Sequence, residues 1–296
     1  MSSYVLSCCS SIDISKELVD RLGISYLSFH FIIDDKDYKD DLGQTFTSEQ
    51  LYDFMTAGSD VRSSQPSVGE YIDYFTPFLK EGKDVLHLVF SSGLSGAYNA
   101  AITASEILSA EYPERKLYIV DSLAASSGYG MFMERLAEIR DEGKSIDELR
   151  DIALELRHKV NHLFFTTDLT YFVKGGRISK ASGLIGTILS ICPVLCIAPD
   201  GKIVSMTKAK GKKQAISKIV TEMELRAENG NAYSGKCFIG HSRCLGDAEK
   251  VASLIEERIP ALKNQIKIFP IGTTIGCHTG PGTVALFFFS TEDRTI

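Results

Sequence analysis

VLHLVFSSGLSGAYNAA, residues 85–101, decides how the fold is read. Residues 85–90 form a run of strand length and buried character, and an amphipathic helix is expected over 97–109. Between them lies SSGLSG, a turn of hydroxyls and small residues with no lysine or histidine. Strand, tight turn and helix in that order is the unit of an α/β protein with a parallel sheet and crossover helices. In such sheets ligands sit beyond the carboxyl ends of strands, where helix N-termini point free N–H groups outward. Ser92, Ser95 and the neighbouring amides are therefore candidates to receive an anionic oxygen. The alternative is a plain turn in which Ser95 caps the helix.

Working outward, strands are expected at 4–7 and 117–121 and helices at 15–22 and 129–140. Ser145 and Glu148 spell a capping box that opens another helix. After Lys159 the texture changes: strands at 163–166 and 194–197, then the PDGK turn at 199–202 leading into a strand at 203–206. Helices at 213–226 and 248–258 follow, with strands at 237–240, 266–269 and 284–289. A chain of 296 residues is long for a single core. We expect two α/β domains, 1–159 with a parallel sheet and the serine-rich loops, and 160–296 with GGRIS and IGCHTGPG.

Bulk properties narrow the function. A formal net charge of −6 argues against nucleic acid as the main partner. The N-terminus lacks the basic start and apolar stretch of a signal peptide, and no uncharged apolar run is long enough to span a bilayer. The seven cysteines lie mostly in apolar runs, which suits reduced core thiols in a cytoplasmic protein.

Three further stretches carry chemistry. RSSQPSVGEY, 62–71, reads as a helix start with Ser67 as cap and Glu70 three residues on. Pro66 biases Gln65 to an extended conformation, which is expected to present Ser63 and Ser64 outward. PIGTTIGCHTGPGTVALFF, 270–288, reads as a Gly/Thr-rich loop entering a strand, with His278 either a ligand contact or a structural residue. No cysteine, glutamate or second histidine stands at ligand spacing from it, so no metal site is expected. LTYFVKGGRIS, 169–179, joins a basic turn to an apolar helix, and KAKGKK, 208–213, reads as a solvated helix start. A serine hydrolase or acyltransferase using Ser95 and His278 is the rival function. The hydrolase elbow needs glycines two before and two after the serine, and here those positions are Gly93 and Ala97.

Taken in order, SQPSVGEY, FSSGLSGAYNAA, IVDS (119–122), LTYFVKGGRIS, IGTILSICPVL, APDGK and IGCHTGPG resemble the DegV family of bacterial fatty-acid-binding proteins, nearly end to end. The resemblance implies two α/β domains with an acyl chain between them and no catalysis by the chain itself. It implies a long-chain fatty acid such as palmitate, stearate or oleate as ligand, with no cofactor. It also implies transient contact with a membrane surface and a separate fatty acid kinase catalytic subunit that converts the carboxylate to an acyl phosphate. Carried over onto this chain, the carboxylate contacts are Ser63, Ser95 and His278, with Ser92 and Ser64 as alternates. Arg177 shapes the site or faces the kinase. The chain departs from the family pattern at Cys9, where an Asp is usual, and at Lys210, where an Arg is usual.

Overall fold

The structure is a computed structural model that describes residues 4–179 and 191–296. In chain order the first half runs β1 (Tyr4–Cys9), α1 (Lys16–Arg21), β2 (Ser25–Leu27), β3 (His30–Ile33), β4 (Lys36–Lys39) and α2 (Ser48–Ala57). It continues with β5 (Val61–Ser64), α3 (Val68–Lys80), β6 (Asp84–Val89), α4 (Ala97–Glu111), β7 (Leu117–Asp121), α5 (Ser126–Asp141) and α6 (Ile146–Leu156). The second half runs β8 (Val160–Thr166), α7 (Thr170–Lys174), β9 (Ile191–Ile197), β10 (Ile203–Lys210), α8 (Gly211–Arg226) and β11 (Cys237–His241). It closes with α9 (Leu245–Arg258), β12 (Lys267–Pro270), α10 (Thr273–Thr279) and β13 (Thr283–Phe289).

Three sheets result. A parallel sheet has the order β2-β1-β6-β7, and a small antiparallel sheet has the order β4-β3-β5. The third, β10-β9-β8-β13-β11-β12, is antiparallel except for the β11–β12 pair. The strand–turn–helix of 85–101 appears as β6 and α4, with Val85, Leu86, Leu88 and Val89 all fully buried as a central parallel strand requires. Ser67/Glu70 and Ser145/Glu148 both form complete capping boxes at the starts of α3 and α6.

A cut near 159 separates strands but not the core. Helix α5, which precedes it, is buried on nearly every face from Ser126 to Ile139, as a helix sandwiched between layers must be. On one side the Tyr129 hydroxyl donates to the Leu88 carbonyl in the parallel sheet. On the other, α5 packs on β8, β11 and β13. One contiguous core consequently holds Leu88, Phe132 and Leu136 together with Phe164, Leu195, Phe238 and Phe287. All seven cysteines are free thiols, six buried and Cys244 partly so, as expected of core residues.

One element is added, two expectations are corrected, and one falls outside the described residues. The stretch HFIIDDKDYK is a hairpin, β3–β4, that the pattern did not suggest. Its turn uses Asp34 and Asp35 at φ 47° and 67°, where Asn-Gly is the usual signal. The Gly/Thr-rich 273–279 is not loop but the short helix α10, held at its start by Asp40, which accepts from the Thr274 amide and hydroxyl. KAKGKK straddles two elements: Lys208–Lys210 end β10, paired with β9, and α8 begins only at Gly211, whose φ of 76° breaks the strand. The apolar helix expected after GGRIS falls on 180–190, outside the described residues. Among the described residues no helix is long and apolar enough to cross a membrane.

Candidate functional site

Four segments converge on a cavity of about 300 Å³. They are the end of β5 with Gln65, the turn after β6, the segment from α7 to Arg177, and α10. The body of the cavity is apolar, with Phe29, Phe90, Phe164, Phe172, Ile197 and Phe287 among its walls.

Strand geometry puts Ser63 there. Side chains alternate along β5, so Val61 and Ser63 share a face while exposed Arg62 turns away to Asp35 and Asp60. Val61 packs in a cluster with Cys277 of α10, and two residues on, Ser63 Oγ meets His278 Nε2 at 2.6 Å. Ser63 thus points inward, against the expectation that both serines face out. Two consecutive strand residues cannot share a face. Ser64 is exposed, although it too contributes to the cavity lining.

Burial and then the Arg177 charge push the His278 imidazole down to about 3, so it is neutral at physiological pH. Its Nδ1 has no partner among the described residues and lies against the Gly175 backbone, where a Cβ would stand 2.2 Å away; only glycine fits. With the proton on Nε2, the buried orphan at Nδ1 is a lone pair rather than an N–H, which is the cheaper of the two. In that tautomer Nε2–H donates to Ser63, and the Ser63 hydrogen is free for a ligand.

The turn after β6 brings in Ser95. Its Oγ accepts from the Ala97 amide at 3.2 Å and donates to Gln65 Oε1 at 3.0 Å, so the capping role and a place in the cavity wall coexist. The turn is pinned across the molecule: Ser91 Oγ donates to the Gly201 carbonyl at 2.8 Å, and a Cβ on Gly93 would stand 2.5 Å from Gly201 carbon. That contact couples the SSGLSG turn to the PDGK turn. Ser92, by contrast, is exposed and does not line the cavity; its amide donates to Asp121. The Ser95–His278 pairing that a hydrolase would use is not formed, because Ser95 is engaged with Gln65 and His278 with Ser63.

Arg177 is half-buried in the cavity wall. Its Nε donates to the Leu94 carbonyl at 3.0 Å and Nη1 to the Gly175 carbonyl at 2.6 Å. Burial lowers its pKa, and it has no carboxylate partner among the described residues. A guanidinium without a counterion beside an apolar cavity makes a positive local potential there. Gln65 is the lining residue that the sequence reading used only as a spacer before Pro66. The signal available was its place between Ser63 and the proline. Lys210 ends β10 and does not line the cavity, while Cys9 is buried beside Tyr71 and His87 in the parallel-sheet core.

Comparison with known proteins agrees with this architecture. The DegV family of uncharacterised proteins matches residues 9–291. A DegV domain-containing protein of Clostridium perfringens is 36% identical over 97% of this chain and 98% of its own length. The solved fatty acid binding DegV family protein of Streptococcus agalactiae superimposes with a TM-score of 0.83 at 29% identity, covering 99% of this chain and 100% of that one. The Streptococcus pneumoniae fatty acid kinase B3 protein, loaded with linoleic acid, has the same fold with a TM-score of 0.82 at 21% identity, over 97% and 99% of the two chains. Family match, full-length relatives and shared fold coincide, and this chain belongs to the DegV family.

Proposed function

We propose that this protein binds a long-chain fatty acid in the cavity between its sheets and presents the carboxylate to a separate kinase, without catalysis of its own. The observation that carries the reading is the make-up of the cavity. An apolar body is bordered by neutral polar side chains (Ser63, Ser95, Gln65 and uncharged His278) and by one arginine that has no counterion among the described residues. A volume of about 300 Å³ lies at the small end of ligand pockets, which run from about 300 to 1,000 Å³. An acyl tail contributes about 0.8 kcal/mol per buried methylene relative to water and far less relative to a membrane. A carrier that loads by transient membrane contact needs that balance. Hydroxyl donors orient the carboxylate without locking it into a buried ion pair, which leaves its oxygen open to phosphoryl transfer.

The Ser63–His278 contact favours one second reading, a serine nucleophile with a histidine base. Against it, burial and the neighbouring guanidinium disfavour the imidazolium that a general base becomes, and no acid among the described residues orients Nδ1.

Native mass spectrometry of purified protein before and after organic extraction should reveal a noncovalent fatty acid that extraction removes. Ser63→Ala removes a donor to the carboxylate and should weaken fatty-acid binding by about ten- to a hundredfold, since a hydrogen bond to a charged group is worth roughly 1.5–3 kcal/mol; Ser95→Ala and His278→Ala, whose hydrogens go to Gln65 and Ser63, should weaken it by no more than that. Binding of the matching fatty alcohol should hardly change. Acyl phosphate should form when loaded protein, ATP and a fatty acid kinase catalytic subunit are combined. Protein that never takes up fatty acid, or that carries a covalent acyl group on Ser63 or Ser95, would overturn the carrier reading.

A further inference from the structure

Strand register gives the apolar cavity a direction. Strands β8 and β13 pair with Thr166 opposite Thr283 and His162 opposite Phe287. Helix α7 follows Thr166 and α10 precedes Thr283, so Arg177 and His278 lie at that end of the pair. Alternation along β13 sets Thr283, Ala285 and Phe287 in the cavity wall, which runs about 13 Å from the first to the last. Phe289, the next residue on that face, lines a second cavity of about 690 Å³. Helix α5 spans the same interval: Ser126 borders the first cavity, and Glu134, about 12 Å further along the helix, borders the second. His162 and Phe287 stand between them, edge to face with ring centroids 5.3 Å apart and planes at 85°. Helix α5 bears on both rings at Gly128, where a Cβ would stand 2.5 Å from Phe287 Cδ1 and 2.6 Å from His162 Nε2. The histidine is held by backbone at both nitrogens. Nε2 accepts the Ala125 amide at 3.1 Å, which leaves the proton on Nδ1, and Nδ1–H donates to the Val160 carbonyl at 3.0 Å.

We infer that the His162–Phe287 pair, backed by α5 at Gly128, is the stop that sets the longest acyl chain this protein holds. The inference rests on the carrier reading and adds a length limit to it. A stop of this kind does not yield by a change of rotamer. Moving His162 breaks two backbone hydrogen bonds, and moving Phe287 disturbs the packing of α5 on the large sheet. Affinity should therefore rise by about fourfold with each added methylene and then fall beyond one length.

The test is the affinity of a series of saturated fatty acids, lengthened by one methylene at a time, for wild type and three variants, read by displacement of a fluorescent acyl probe. Phe287→Leu cuts the stop back, and the break should move to chains longer by about two methylenes. Gly128→Ala drives a methyl against both rings from the helix side, and the break should move to chains shorter by about one methylene. Alanine suits a helix better than glycine, so this variant carries the test if Phe287→Leu fails to fold. Phe289→Leu alters the second cavity on the same strand face and should leave the break where it is. A break that stays put in both Phe287→Leu and Gly128→Ala, or moves the same way in both, would overturn the inference. So would an equal shift in Phe289→Leu and Phe287→Leu, or a wild-type affinity that rises through the series without a break. Wild-type protein that binds no fatty acid of any length would instead overturn the carrier reading.

Discussion

Arg294→Ala is expected to lower the free energy of unfolding by about 3–5 kcal/mol, among the larger losses available to a single surface-to-core contact in a domain of this kind. The side chain is only 3% exposed, although it stands third from the end of the sequence. Its Nη2 donates to the Leu123 carbonyl at 2.7 Å, Nη1 to Val160 at 3.0 Å and Arg157 at 3.1 Å, and Nε to Ala198 at 3.2 Å. Those carbonyls come from the loop before α5, the end of α6 with the start of β8, and the loop after β9. One guanidinium therefore ties the parallel-sheet half to the large sheet. Burial draws its pKa down to about 10, so it stays charged at neutral pH, with Asp121 and Asp200 favouring the charge from a distance. Truncation leaves four carbonyls short of a donor in a site that water enters poorly. Arg294→Lys should recover only a minor part, because an ammonium has three donors and no planar fork. Urea unfolding of the ligand-free protein measures the effect. A change below about 0.5 kcal/mol would show that the C-terminal segment is released at little cost.

The second large effect depends on pH. Asp13 is buried behind the cavity wall, where Ser126 Oγ donates to its Oδ2 at 2.5 Å; Ser126 itself lines the cavity. Burial, reinforced by buried Asp40, pushes the Asp13 carboxyl up from 3.8 to about 7. Asp40 is also raised by burial, and Tyr52 lies close by, while Lys16 lines a small cavity together with Asp13 and Asp40 but is paired with Asp20. Because the folded state holds the Asp13 proton more tightly than the unfolded chain, this group favours folding fully below its unfolded pKa. That contribution is lost as pH rises towards 7. A displacement of that size corresponds to at most about 4 kcal/mol. Buried His87, His162 and His278, all drawn down to about 3 with burial as the largest cause, act in the opposite sense and cost stability as pH falls below 6.5. The wild-type curve is the resultant. Asp13→Asn removes the carboxyl and keeps an oxygen for Ser126. Relative to wild type, its stability should rise with pH from about 4 to about 7 and then level off, since the histidine contributions cancel in the difference. Urea unfolding of both proteins across that range decides it. A difference independent of pH would mean that Asp13 titrates at its ordinary value.

Neither variant probes a feature that the sequence makes legible. Nothing around Arg294 in TEDRTI announces a buried staple, because its acceptors lie between 96 and 171 residues away along the chain. Asp13 in SSIDIS reads as an ordinary polar residue before a helix cap. By contrast, β6 with α4 and the capping boxes of α3 and α6 stood in the sequence because their causes are local. Buried-strand composition, a serine and a glutamate three residues later act between near neighbours. The family motifs were equally legible, being short runs in a fixed order.

The pairings that make the candidate site were not legible. Ser63 meets His278 across 215 residues, and the hydroxyl of Ser95 goes to Gln65 rather than to the histidine. The register of β5 on β3 selects which serine of the pair turns inward. Helix α10 hid in a Gly/Thr composition that has low helix propensity, and it forms where Asp40 satisfies its first turn and Thr273, Thr274, Gly276, Cys277 and Thr279 are buried. Sequence alone determined the elements whose signals are local, β6, α4 and the capped starts of α3 and α6 among them, and the hydroxyl-rich loops beside them, since those preferences are set within a few residues along the chain. Only the tertiary structure decided which donor faces which acceptor in the cavity. That choice follows from packing two sheets against the shared helix α5 and the small sheet against α10, and no local preference encodes it.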